Sequence, residues 1–228
     1  MKQGRVDDFI EEMDLLKRKY AGRIELYTGM EIDYLGDEWC SAGAYFSSLP
    51  LDYRIGAVHF IKDDEGKYVE IDCDGDAFGR IVDEHFGGDI KHLTEVYFAT
   101  MHSMIEAGGF DFVAHPDKVS MNASAYLPGI TGERWYQNMV ADYYAFIASK
   151  GVMLEVNTKS FDRRDYLFPN KEWFPFLNSL GIKLVVNSDA HMPMLMTQGY
   201  TDVKRMLKSA GYDSLMQLKG GVWCENPL

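Results

Sequence analysis

The stretch Asn187-Ser188-Asp189-Ala190-His191 directly follows the apolar run Ile182-Lys183-Leu184-Val185-Val186. A β-branched run that ends in polar residues is typical of a buried strand that delivers side chains at its carboxyl end. Because Asp189 and His191 are two residues apart on an extended chain, both side chains point the same way and could reach one metal ion or one reacting atom. An Asp-x-His pair alone is common, so its weight depends on the other strand ends.

Four further apolar runs end in residues of the same kind. We predict these strands over residues 24–30, 53–58, 110–114 and 152–156. The residues that follow or close them are Glu31 with Asp33, His59, His115, and Asn157. Five strands that deliver such side chains at one end are typical of a parallel α/β barrel whose C-terminal face is the active site.

Five residues at these strand ends are candidate metal ligands: Glu31, His59, His115, Asp189 and His191. Imidazole and carboxylate ligands without thiolate suit zinc, manganese or iron in a catalytic site that water can reach. A single strand-end histidine is more often a hydrogen-bonded core residue, and Glu31 could pair with a lysine. The agreement of five strands nevertheless predicts a metal site.

Three cations lie close to these ligands along the chain. Arg163 and Arg164 follow Asn157, and Lys118 lies three residues beyond His115. Because a planar guanidinium binds phosphate oxygens in a bidentate manner, we predict a phosphate-binding role, foremost for Arg163. The alternative is a solvated charged loop, since acidic residues flank both arginines.

Composition limits the class of protein. The 228 residues carry a net charge of −12, which disfavours binding to nucleic acid. Three cysteines without C-x-x-C spacing fit a reducing compartment, so we expect a cytoplasmic protein. We expect no membrane partner, because no apolar run approaches a span of about 20 residues. Residues 1–228 are predicted to form a single domain.

Five short motifs carry a resemblance to a known family. They lie at 29–34 (GMEIDY), 55–60 (IGAVHF), 114–117 (AHPD), 155–158 (EVNT) and 187–191 (NSDAH). Their order resembles that of the PHP (polymerase and histidinol phosphatase) metallophosphoesterases, and most closely the histidinol-phosphatase branch.

The resemblance implies a distorted (β/α)7 barrel with up to three divalent ions that hydrolyses histidinol phosphate to histidinol and phosphate. Glu31 would bridge two ions, and His59 and His115 would complete the shell of the second. Asp189 would belong to the first ion and His191 to the third. Arg163 falls where that branch holds the phosphate, and either Asp189 or His191 is the candidate to protonate the leaving group.

The chain departs from the family in one respect. PHP proteins begin with a strand that ends in His-x-His, and no His-x-His occurs in this sequence. We therefore expect a barrel that is incomplete at its N-terminus, a weak phosphatase, and self-association through the exposed barrel edge. The alternatives are another PHP-type phosphoesterase, or a non-catalytic metal-binding remnant.

Overall fold

A five-stranded parallel sheet forms the centre of the computed structural model, which describes residues 3–228. The strands of the chain are β1 (Gly29–Asp33), β2 (Tyr53–Ala57), β3 (Phe60–Lys62), β4 (Tyr68–Glu70), β5 (Phe112–Val113), β6 (Met153–Asn157), β7 (Leu184–Asn187), β8 (Ser214–Lys219) and β9 (Val222–Pro227). The order in the central sheet is β1-β2-β5-β6-β7, and every neighbouring pair is parallel. The predicted α/β class is confirmed.

Helices connect the strands and cover the sheet. They are α1 (Val6–Tyr20), α2 (Ala44–Ser48), α3 (Gly75–His85), α4 (Ile90–Ala107), α5 (Val119–Tyr126), α6 (Arg134–Lys150), α7 (Phe161–Arg164), α8 (Phe174–Ser179) and α9 (Tyr200–Ser209). None of the helices within residues 3–228 combines the length and the apolar character that crossing a lipid bilayer requires.

The first predicted strand is misplaced. Residues 24–28 are irregular, and β1 begins at Gly29, opposite Tyr53 of β2. The chain that could have paired with residues 24–28 turns away at Asp52, whose backbone N–H donates to the Thr28 carbonyl at 2.8 Å. Glu31 therefore lies inside β1 and not beyond its end.

The main hydrophobic core lies between the sheet and helices α4 and α6. Asp89 accepts a hydrogen bond from the backbone N–H of His92 at 3.0 Å, which caps the start of α4. Leu93 and Met101 of α4 and Tyr143 of α6 are fully buried, and they pack in one cluster with Leu154 of β6. Burial of these apolar faces holds the helices on the sheet.

Two antiparallel hairpins extend from this frame. The β3–β4 hairpin is tied to the helices by two Asp–His contacts, Asp63 to His85 at 2.8 Å and Asp64 to His92 at 2.7 Å. The β8–β9 hairpin lies beside β7, and its Trp223 indole N–H donates to Asp111 at 2.8 Å. The first hairpin matters for the site because it fixes the residues that follow β4.

Strands β1 and β7 are the two edges of the central sheet within residues 3–228. Beside β1, Val6 and Phe9 of α1 line a cavity of about 370 Å³ together with Trp39. Val6 is the only buried residue of α1, so this helix packs only loosely beside the sheet.

Leu154→Ala is expected to lower the free energy of unfolding by about 2–5 kcal/mol, because it leaves a cavity in the fully buried centre of the sheet. Urea denaturation followed by circular dichroism measures the change. The control is Leu15→Ala on the exposed face of α1, which should change the free energy by no more than about 0.5 kcal/mol. Similar losses in the two variants would show that Leu154 is not in the core.

Candidate metal centre

Three side chains from neighbouring strands converge on one point. Glu31, His59 and His115 each offer a ligand atom, and these atoms lie within 4.8 Å of one another. The two imidazole Nε2 atoms are 3.1 Å apart, and they lie 3.3 Å (His59) and 3.6 Å (His115) from Oε1 of Glu31. Glu31 comes from β1, whereas the histidines follow β2 and β5.

The second nitrogen of His59 is held by a carboxylate. Its Nδ1 lies 2.7 Å from Oδ1 of Asp33, and its backbone N–H donates to the same oxygen at 3.1 Å. With the Nδ1 proton shared with Asp33, the lone pair of Nε2 is left for the point shared with Glu31 and His115. A carboxylate in this position fixes the tautomer and the ring orientation of a metal-binding histidine.

The electrostatics of the group favour a cation. Burial alone would lower the pKa of His59, but the hydrogen bond and charge of Asp33, with Glu31 and Asp72, outweigh it and hold that pKa above its usual value. Burial would raise the pKa of Glu31, but its hydrogen bond to His115 and the charges of His115, His59 and Lys159 hold it below. The His59 shift reflects the carboxylates around its imidazole, and the Glu31 shift reflects the histidines and Lys159 around its carboxylate.

This donor set fits a divalent transition metal. Two imidazole nitrogens and one carboxylate oxygen are the ligands that zinc takes in catalytic sites, where a further position is left for water. The two Nε2 atoms are 3.1 Å apart, and a single hydrogen bond is all that two facing ring nitrogens can form with each other. A metal ion between them could instead accept the lone pairs of both.

A buried carboxylate holds the backbone of the site. Glu155 of β6 accepts hydrogen bonds from the backbone N–H of His115 at 2.8 Å, from Asn157 at 3.1 Å and from Asn187 at 3.0 Å. It thereby links the carboxyl ends of three adjacent strands. His115 has φ +24°, an unfavourable value for a residue with a side chain, and the Glu155 contact stabilises that conformation.

Lys118 lies at the margin of the site. It is buried, and its Nζ is 3.0 Å from Asp72, which itself lies 3.8 Å from Nε2 of His59. Asp117 beside it is fully buried, and it accepts a hydrogen bond from the backbone N–H of Asn170 at 3.0 Å. Burial raises the pKa of Asp117 to about 7. The two loops that carry Lys118 and Asn170 are thus joined.

Asp189 and His191 lie apart from the three converging ligands. Asp189 has φ +47°, and its carboxylate is 3.0 Å from Nζ of Lys159 and 3.4 Å from Asn157. His191 is exposed, with Nδ1 2.9 Å from the Asp189 carbonyl oxygen. A cavity of about 780 Å³ is lined by Asp189, Glu31 and Glu155, so the two parts of the site share one space.

The two arginines are on α7, which begins four residues after the end of β6. Arg164 contacts the sulfur of Met121 at 3.6 Å. The Arg163 side chain is exposed and makes no hydrogen bond or ion pair within residues 3–228. The structure thus leaves their phosphate-binding role as a prediction.

Four residues of the site were not identified as functional from the sequence: Asp33, Asp72, Glu155 and Lys159. The spacing of Asp33 from Glu31 repeats that of Asp189 from His191, so the same argument of alternating side chains could have identified it. Asp72 reaches the site only through the β3–β4 hairpin, and Lys159 only through a contact between two loops. No local pattern contains either contact.

No family model matches the chain. Two curated proteins, the probable histidinol-phosphatases of Schizosaccharomyces pombe and Deinococcus radiodurans, are 21% and 24% identical to it. The matches cover 94% and 92% of this chain and 69% and 75% of those proteins. The Bacillus subtilis histidinol-phosphatase is 28% identical over 47% of this chain and 40% of its own length.

Two solved structures have a similar fold. A protein of Listeria monocytogenes assigned as histidinol phosphatase HisK superposes with a TM-score of 0.78 at 18% identity, over 89% of this chain and 77% of that one. Histidinol phosphate phosphatase of Lactococcus lactis, solved with zinc, L-histidinol and phosphate, gives 0.67 at 16% identity, over 96% and 79%. The resemblance to the histidinol-phosphatase branch is confirmed, and the five-stranded parallel sheet is consistent with the distorted (β/α) barrel that the resemblance implies.

Asp33→Ala is expected to weaken zinc binding about 10- to 100-fold, because His59 then loses the partner that orients its ring. Competition with a chromogenic chelator measures the zinc Kd. Asp37→Ala is the control, since that carboxylate bonds only to Tyr34 among residues 3–228, and it should leave the Kd unchanged. An unchanged Kd in Asp33→Ala would show that His59 does not depend on this contact.

Proposed function

We propose that this chain is a metal-dependent phosphomonoesterase that hydrolyses histidinol phosphate to histidinol and phosphate. The observation that carries the proposal is the convergence of Glu31, His59 and His115 at one end of a parallel sheet whose fold is that of histidinol phosphatases. The names of three curated relatives and the ligands of the Lactococcus lactis structure support the same reaction.

The divalent ion is proposed to bind to Nε2 of both histidines and to the Glu31 carboxylate. Zinc is the first choice because the similar Lactococcus lactis structure contains it, with manganese and iron as the other candidates. When bound, the ion would lower the pKa of a water molecule bound to it and would neutralise charge on the phosphate oxygens. The protein contributes orientation of both imidazoles, through Asp33 for His59 and through Glu155 for the backbone of His115.

The phosphate is proposed to be held by cations at the margin of the site. Lys118 is positioned by Asp72 and by the ring of Phe168, 4.9 Å from its Nζ. Arg163 and Arg164 lie on α7, at the carboxyl end of β6. Their guanidinium groups would take equatorial phosphate oxygens in a bidentate manner.

The leaving alkoxide of histidinol needs a proton, and Asp189 and His191 are the proposed donors. His191 has its Nδ1 beside the Asp189 carbonyl oxygen and its side chain exposed, so the other ring nitrogen can face a substrate. Asp189 lines the cavity that also contains Glu31. Water provides the oxygen that joins phosphorus, and the ester oxygen departs with the donated proton.

The same site fits a different small phosphate ester, which is the second candidate function. The net charge of −12 disfavours a nucleic-acid substrate, as it would repel a phosphate backbone.

The three free cysteines agree with the proposal that the protein acts in the cytoplasm.

Zinc-loaded protein is expected to release phosphate from histidinol phosphate, and a chelator should abolish the release because the reaction needs the bound ion. A malachite green assay measures the substrate preference when histidinol phosphate, ribose 5-phosphate and a nucleoside monophosphate are each tested in a separate reaction. Glu31→Gln gives the background rate. Equal rates for the chain and this variant would contradict phosphatase activity, and a preference for another ester would favour the second candidate function.

Arg163→Lys is expected to lower kcat/KM for histidinol phosphate about tenfold, because lysine cannot form the two parallel bonds of a guanidinium. Steady-state kinetics on the zinc-loaded variant measures the loss. Arg205→Lys is the matched control, since Arg205 is exposed on α9 and pairs with Asp202. An unchanged kcat/KM in Arg163→Lys would show that Arg163 is surface charge only.

A further inference from the structure

Lys159 places an ammonium group inside the candidate site, at the carboxylate that the motif pattern assigns to a metal. Its Nζ lies 3.0 Å from Oδ2 of Asp189. The Asp189 side chain is only 23% exposed, so the ion pair is partly shielded from water. The side chains of Lys159 and Lys171 are each 40% exposed, but the Asp165 partner of Lys171 is 71% exposed, so the two ion pairs differ in the burial of the carboxylate.

The backbone holds Lys159 in this place from two sides. Its N–H donates to Oδ1 of Asn157 at 3.0 Å, and its carbonyl oxygen accepts from Gln198 at 3.3 Å. The Thr158 hydroxyl donates to the Gln198 carbonyl at 2.8 Å. The backbone of Lys159 is therefore fixed between the end of β6 and the segment that follows β7.

The position of Lys159 bears on how many ions the site can hold. Its ammonium group pairs with Asp189, and its charge also helps to lower the pKa of Glu31, after the larger contributions of His115 and His59. These two carboxylates line the same cavity, and Glu31 also lies within 3.6 Å of both imidazole Nε2 atoms. A divalent ion on Asp189 would have to displace the ammonium group or lie beside it against strong repulsion.

We infer that Lys159 supplies, as a fixed ammonium, the positive charge that a second divalent ion on Asp189 would otherwise supply. The inference rests on the proposed function, because it assumes that Glu31, His59 and His115 hold the first ion. Through its contact with Asp189, which lines the cavity, this ammonium group would lie near an anionic phosphate bound there. The site would thus hold one ion on Glu31, His59 and His115, and one lysine on Asp189.

Metal counting tests this without any assay of activity. Purified chain is equilibrated with excess zinc, freed of weakly bound ion by gel filtration, and analysed by atomic emission. The wild type is expected to retain one zinc ion per chain. Lys159→Met is expected to retain two, because this substitution frees Asp189. Lys159→Met/Asp189→Asn should return to one, and Lys159→Arg should match the wild type. Lys171→Met is the control for loss of an ion pair elsewhere.

The count also separates this inference from the proposed function. One zinc in both the wild type and Lys159→Met would overturn the role of Lys159 and leave the first ion in place. Two zinc ions in the wild type, falling to one in Asp189→Asn, would overturn it as well. No zinc in any protein would contradict both proposals. Circular dichroism of each variant ensures that the counts refer to folded protein.

Discussion

The hydrogen bonds around the Glu155 carboxylate hold the site together. Burial raises the pKa of Glu155, and a buried carboxylate is costly unless donors surround it. Here the donors are the backbone of His115 and the side-chain amides of Asn157 and Asn187. His115 follows β5, Asn157 ends β6 and Asn187 ends β7. Hydrogen bonding to this one carboxylate therefore aligns the three strands. The strained backbone of His115 depends on the same contact.

The charged side chains at the ends of these strands determine what the site can bind. Asp33 fixes the tautomer of His59, and Glu31 lies within 3.6 Å of both imidazole Nε2 atoms. On the other side of the cavity Lys159 neutralises Asp189. A site with a concentration of carboxylates and histidines on one side and cations on the other can hold both a divalent ion and a phosphate.

Much of this arrangement could be predicted from the sequence because it depends on local pattern. Apolar runs that end in His, Asp or Asn predicted the parallel sheet, and the shared direction of its strands predicted that His59 and His115 would meet. The start of β1 could not be predicted, because strand pairing depends on where β2 begins, at Tyr53. The contacts of Asp72 and Lys159 also depend on packing between distant segments. The proposed roles of Arg163 and His191 stay predictions.

The central claim is that Glu31, His59 and His115 hold one divalent ion. Anomalous diffraction at the zinc edge, on crystals of the chain soaked with zinc, tests it most directly. We expect a peak about 2.0–2.2 Å from Nε2 of each histidine and from a Glu31 oxygen. A zinc-soaked crystal with no peak among these three side chains, or with its strongest peak on other residues, would contradict it.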